Sequence, residues 1–96
     1  MPVLKVQSDE EFGPIINGAG EKLVVIDFYA DWCGPCKAIA PYFEELSNTY
    51  SDACFVKVNT QTCDKIAESF RVKGIPYRIV KKRGKREKKL KKVEKI

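Results

Sequence analysis

The 96-residue chain is 44% hydrophobic, carries four cysteines and no histidine, and has a formal net charge of +5. That length supports one domain with its own core, and the longest apolar run, Leu23 to Ile26, is far too short to cross a bilayer. The charge is unevenly held: residues 81–96 have ten Lys/Arg against two acids, a net of +8, whereas residues 1–80 have eight against eleven, a net of −3.

The N-terminal stretch "MPVLKVQSDEEF" shows neither an apolar h-region nor a small-residue cleavage site, so the expectation is a soluble intracellular protein without a signal peptide. In a reducing compartment, four cysteines favour redox chemistry or metal binding over a structural disulfide framework. "VLKV", residues 3–6, reads as a short edge strand. Ser8 followed by Glu11 predicts a capping box opening a helix, with Phe12, Ile15 and Ile16 on its apolar face and the glycines of "NGAGE" ending it. "KLVVIDFYA", residues 22–30, is a continuous, β-branched apolar run, as expected of a central strand covered on both faces.

A helix follows from about Pro35 to Tyr50. Ile39, Phe43, Leu46 and Tyr50 recur at spacings of four, three and four, which puts them on one face. Pro41 lies inside it and predicts a kink, because it removes a backbone donor and crowds the preceding turn. "ACFVKVN" (53–59) reads as a strand and "CDKIAESF" (63–70) as a short helix with Ile66, Ala67 and Phe70 inward. "KGIP" reads as a turn and "YRIVKK" (77–82) as a fourth strand. This alternation implies an α/β fold with helices on a sheet. Beyond Gly84, Leu90, Val93 and Ile96 are three apart among lysines, and the reading leans towards a short or frayed helix over 85–96 rather than a strand.

The chemistry centres on "DFYADWCGPCKAIAP", residues 27–41. A Cys-x-x-Cys pair can hold a metal, close as an inert disulfide, or exchange electrons. Tetrahedral zinc wants four ligands, but the chain has no histidine, and Cys54 and Cys63 are nine apart on different predicted elements. An inert disulfide belongs with a secretory context that the N-terminus does not show. Redox exchange is therefore favoured. Cys33 falls at a helix N-terminus, where unpaired backbone N–H groups and the helix dipole stabilise a thiolate, and Pro35 suits the first turn. In this setting Cys33 attacks a disulfide and Cys36 releases the mixed intermediate.

"DFYADWCGPCKAIAP" together with "KVNTQTCDKIAESFRVKGIP" resembles the thioredoxin family, particularly its cytosolic animal type, over about residues 3–84; the family is itself a standard example of this motif. The resemblance implies a thioredoxin fold, a central mixed β-sheet flanked by helices, with the final strand and helix shortened or altered. It implies a protein-disulfide reductase in cell redox homeostasis that binds no cofactor and takes reducing equivalents from NADPH through thioredoxin reductase. Asp27 matches the family's buried acid, thought to exchange a proton with the resolving cysteine, and Lys57 the lysine that offsets its burial. Pro76 matches the cis-proline whose loop faces the cysteines. Trp32, Gly34, Pro35, Gly74 and Ile75 match the rim where protein substrates dock, the Ile75 backbone pairing with a substrate segment as an added strand. Cys63 matches a position where animal members carry an extra, sometimes regulatory cysteine, although as a bare residue it reads as a structural thiol. Cys54 reads as a small core residue.

Two features depart from the family. Tyr77 stands where members usually carry Thr after the cis-proline, and a larger side chain there is expected to narrow or reshape the substrate groove. The chain also offers lysines where the fifth strand's apolar residues belong, with Lys92 near the family's late glycine, so an uncovered sheet face is expected unless "REKKLKKVEKI" supplies a stunted substitute. Residues 1–84 are thus expected to form the thioredoxin-like domain and 85–96 a basic segment, read first as a solvated end and otherwise as a nuclear-import signal or a non-specific nucleic-acid contact. Without interleaved aromatics, base stacking by that segment is not supported. The expected residence is cytoplasmic, with nuclear entry as a second locale. A thioredoxin-like binding module with weak turnover is the alternative reading.

Overall fold

The computed structural model describes residues 3–82 and 85–86. Five strands form one sheet in the order β1 (Leu4–Val6), β3 (Cys54–Asn59), β2 (Val24–Tyr29), β4 (Tyr77–Lys82), β5 (Lys85–Arg86). β1, β3 and β2 run parallel, while β4 is antiparallel to β2 and β5 to β4. Three helices connect them: α1 (Asp9–Ala19), α2 (Gly34–Thr49) and α3 (Asp64–Ser69).

All six residues of β2 are buried, as its unbroken apolar run demands of a strand with partners on both sides and layers on both faces. Alternation along the strands divides the core. Val24, Ile26, Phe28, Val56, Val58 and Ile79 pack with Phe12, Ile15 and Ile16 of α1 and Ile66 of α3. On the opposite face Val25, Phe55 and Val80 pack with Phe43 and Leu46 of α2 and with Tyr50 at its C-cap. Phe43, Leu46 and Tyr50 of the predicted stripe therefore face this core while Ile39 is half-buried, and the helix continues as a single element through Pro41.

Three details differ from expectation. The capping box at α1 forms only in part: Ser8 makes no side-chain cap bond, and Glu11 Oε1 accepts from the Gln7 N–H at 2.7 Å, one residue earlier than the reciprocal bond requires. Glu11 N–H instead donates to the Ser8 carbonyl at 3.1 Å. Secondly, Tyr77 does not face the substrate groove. It heads β4 on the α1/α3 face, 6.1 Å from the Phe28 ring, and packs against that core cluster. Thirdly, Lys85 and Arg86 pair as an edge strand opposite Lys82 and Lys81, where a helix was expected to begin. Backbone pairing with β4 needs no apolar period, so the lysine-rich composition does not oppose it. The remainder of the expected helix, with Leu90, Val93 and Ile96, and the question of sheet cover by "REKKLKKVEKI" lie outside the described residues.

Candidate active site

The site is assembled where β2 runs into α2. Cys33 is the N-cap of α2, in extended backbone conformation, and its Sγ accepts the Cys36 N–H at 3.1 Å. Pro35 occupies the first turn, where its missing donor has no intrahelical partner to lose. Cys33 and Cys36 are joined as a disulfide with Cα atoms 5.2 Å apart, and each residue is only 3% exposed, packed with Tyr29, Ala30 and Ile75. The oxidised pair thus sits on the unpaired donors and positive end of a 16-residue helix, the field that favours thiolate when it opens.

Asp27 is fully buried in β2, two residues before Tyr29, on the face covered by α2. Neither carboxylate oxygen has a hydrogen-bond partner among the described residues. Burial pushes its pKa up from 3.8 to about 6, against the pull of Lys57 and, more weakly, Arg78. Both cations stand directly across from it: Lys57 in register on β3 and Arg78 in register on β4. Lys57 Nζ also lies 4.5 Å over the Tyr29 ring. Tyr29, Cys36, Lys37 and Lys57 line a polar hollow of about 260 Å³ on this side of the site.

On the other side lies an apolar groove of about 320 Å³ whose lining includes Trp32, Thr60, Val72, Gly74 and Ile75. Trp32 is 70% exposed, an unusual state for an indole. The Ile75–Pro76 bond is cis, and Ile75 touches the cysteine pair. A Cβ at Gly34 or Gly74 would meet no atom within 4 Å. Internal packing therefore does not explain these glycines; their effect is to keep the rim low.

The expected site residues Cys33, Cys36, Asp27, Lys57, Trp32, Gly34, Gly74 and Ile75 are thus gathered around one strand-to-helix junction. Cys63 is elsewhere. It is fully buried beside β1, where its Sγ donates to the Val6 carbonyl at 3.5 Å, and burial raises its thiol pKa. These features suit a packing thiol better than a regulatory one. Cys54 is likewise buried in the core. Among the described residues no group of three or more His, Cys, Asp or Glu could hold a metal ion. Thr60, Val72 and Arg78 were not anticipated. Alternation in "YRIVKK" places Arg78 on the same face as Val80, but its position opposite Asp27 follows only from the pairing of β4 with β2.

Residues 3–95 match the family model described as Thioredoxin. The chain belongs to the thioredoxin family. It is 49% identical to thioredoxin-1 of Schizosaccharomyces pombe over 82 residues, which is 85% of this chain and 78% of the yeast protein. Identity to the thioredoxin of Equus caballus is 46% over 74 residues, 77% of this chain and 70% of the horse protein. The solved structure of reduced Schistosoma mansoni thioredoxin preprotein aligns with a TM-score of 0.85 at 38% identity, covering 92% of this chain and 83% of that one. With thioredoxin ancestry and a closed Cys33–Cys36 pair at the helix start, the chain is a protein dithiol–disulfide oxidoreductase. It acts on disulfide substrates, and thioredoxin chemistry requires no bound cofactor.

Proposed function

We propose that Cys33 is the attacking thiolate, Cys36 the resolving thiol and Asp27 the group that takes the Cys36 proton. The observation that carries this reading is the position of Cys33 as N-cap of α2 with its sulfur receiving the Cys36 N–H. In the reduced chain the Cys33 thiolate attacks one sulfur of a substrate disulfide. The substrate's other sulfur leaves as a thiolate, and a mixed disulfide remains. Cys36 then loses its proton to the Asp27 carboxylate, and its thiolate attacks the Cys33 sulfur. The second substrate sulfur departs as a thiolate, and both substrate thiolates are protonated. The substrate gains two electrons and two protons, and the chain is left with Cys33–Cys36 closed.

Asp27 suits this part because a carboxyl with its midpoint at about 6 both accepts and returns a proton near neutral pH. Lys57 limits the cost of its ionisation. Trp32, Gly34, Pro35, Gly74, Ile75 and Pro76 form the docking surface, a protein segment lying along the groove against the Ile75 backbone. Reopening the disulfide needs a two-electron donor, which we assign to an NADPH-dependent thioredoxin reductase. Residues 1–84 carry this chemistry, and the basic composition of the segment from 85 onward suits a nuclear-import signal. No described helix is long and apolar enough to cross a membrane, and the assigned residence is cytoplasmic with nuclear entry.

The test is intermediate trapping. Reduced Cys36→Ser, mixed with a disulfide-bonded protein, should accumulate an adduct through Cys33 that mass spectrometry maps and dithiothreitol releases. An adduct through Cys54 or Cys63, or none, would overturn the assignment.

A further inference from the structure

We propose that Arg78 is a second positioning residue for the buried carboxylate: facing Asp27 from the strand opposite Lys57, its guanidinium sets the proton affinity of Asp27 and the pH range over which Cys36 is released to resolve. The turnover half of this inference rests on the reading of Asp27 as proton acceptor. Its electrostatic half does not.

The geometry is a row of three side chains across three adjacent strands. Asp27 is in register with Lys57 on β3 and with Arg78 on β4, and residues directly opposite in an antiparallel pair such as β2–β4 share a face, with Cβ atoms about 4.5–5.5 Å apart. The face is the one covered by α2, because Val25 and Val80, two residues along from Asp27 and Arg78, belong to the cluster with Phe43 and Leu46. Arg78 is half-buried, and its Nε and Nη1 atoms are shielded from solvent. Its charge therefore acts on Asp27 through a medium less screening than water. Since neither Asp27 oxygen receives a hydrogen bond among the described residues, flanking charge is the available means of stabilising its ionised form.

The two cations are not equivalent. The Lys57 ammonium is shared with the Tyr29 ring face, 4.5 Å away. A guanidinium stays charged at every working pH. Arg78 thus gives Asp27 a constant positive neighbour on the β4 side. Tyr29, two residues along on the same strand, also interacts with the carboxylate and is not cationic. Burial opposes ionisation of Asp27, Lys57 and Arg78 favour it, and Lys57 is the stronger of the two. Removing Arg78 therefore raises the Asp27 midpoint and leaves less carboxylate to accept the Cys36 proton in the mildly acid range.

The experiment follows the Asp27 carboxyl by ¹³C NMR through a pH titration of the disulfide-closed chain. The wild-type, Arg78→Leu, Arg78→Lys and Lys57→Met proteins are compared. One opposite charge at close range shifts a carboxyl by about 1–3 units, and the lower end applies to a half-exposed partner. Arg78→Leu should raise the midpoint by about one unit, enough to reduce the ionised share at pH 6 roughly fivefold. Arg78→Lys should restore most of it, and Lys57→Met should shift it further than Arg78→Leu. An unmoved midpoint in Arg78→Leu, or an equal shift in Arg78→Lys, overturns the proposal. The second readout is single-turnover release of substrate from the mixed disulfide against pH. Its acid limb should move with the NMR midpoint in Arg78→Leu and be lost in Asp27→Asn. If the midpoint moves and the acid limb stays, the proton-acceptor reading of Asp27 fails and takes the turnover half of the inference with it, while the electrostatic half stands.

Discussion

Replacing Asp27 by Asn should stabilise the folded protein, and by an amount that grows with pH. The carboxyl is fully buried and titrates at about 6 when folded, against 3.8 ordinarily. Between those values the folded state holds a proton that the unfolded chain has released. Stability therefore falls as pH rises through this window, the opposite of an ion-paired acid. Two pKa units at about 1.4 kcal/mol each place the loss at about 3 kcal/mol, complete above pH 7. Asn keeps the shape and cannot ionise. The assay is urea unfolding of both disulfide-closed proteins at pH 4, 6 and 8. The cost of burying the Asn amide is the same at each pH and drops out of the comparison. The advantage of Asp27→Asn should widen by about 2.5 kcal/mol between pH 4, where the unfolded carboxyl is already partly ionised, and pH 8. A difference that stays constant with pH would refute the reasoning, because it would mean that Asp27 titrates alike in both states.

The other expectations concern residues around the site and in the core. Trp32→Ala should change stability by less than about 0.5 kcal/mol, because the indole is largely exposed, yet lower kcat/KM for a protein disulfide about tenfold through lost docking; urea midpoints and steady-state kinetics separate the two. Tyr77→Thr should cost about 1–3 kcal/mol through the lost contact with Phe28 and leave kcat/KM for insulin within about twofold, since Tyr77 faces the core. Cys63→Ala should cost about 1 kcal/mol in urea unfolding, with the Val6 carbonyl losing its donor. Iodoacetamide at neutral pH should leave both Cys54 and Cys63 unmodified in the folded, oxidised chain, as their burial and raised pKa values require.

Local pattern was enough to place most elements. "VVIDFY" could only be a strand covered on both faces, and the spacing of Ile39, Phe43, Leu46 and Tyr50 selected the buried face of α2 before any partner was known. The cysteine pair was legible because its chemistry depends on a strand-to-helix junction that those same patterns locate. What escaped depended on pairing register. Arg78 becomes part of the site only when β4 is laid against β2 with Arg78 opposite Asp27, a long-range fact that "YRIVKK" does not contain. Tyr77 was expected at the groove from its place beside Pro76, but strand alternation turned its ring to Phe28. Lys85 and Arg86 pair through backbone groups, which a hydrophobic period cannot report. Glu11 chose the Gln7 N–H over the capping-box geometry, a choice between adjacent donors too fine for residue type to decide.

The central claim, that Cys33 and Cys36 reduce protein disulfides, is tested most directly by insulin reduction. With dithiothreitol as electron source, catalytic amounts of the intact chain should hasten precipitation of the insulin B chain well above the dithiothreitol background. Cys33→Ser and Cys36→Ser should each fall to that background. An intact chain no faster than dithiothreitol alone, or a Cys33→Ser variant as fast as the intact chain, would contradict the account.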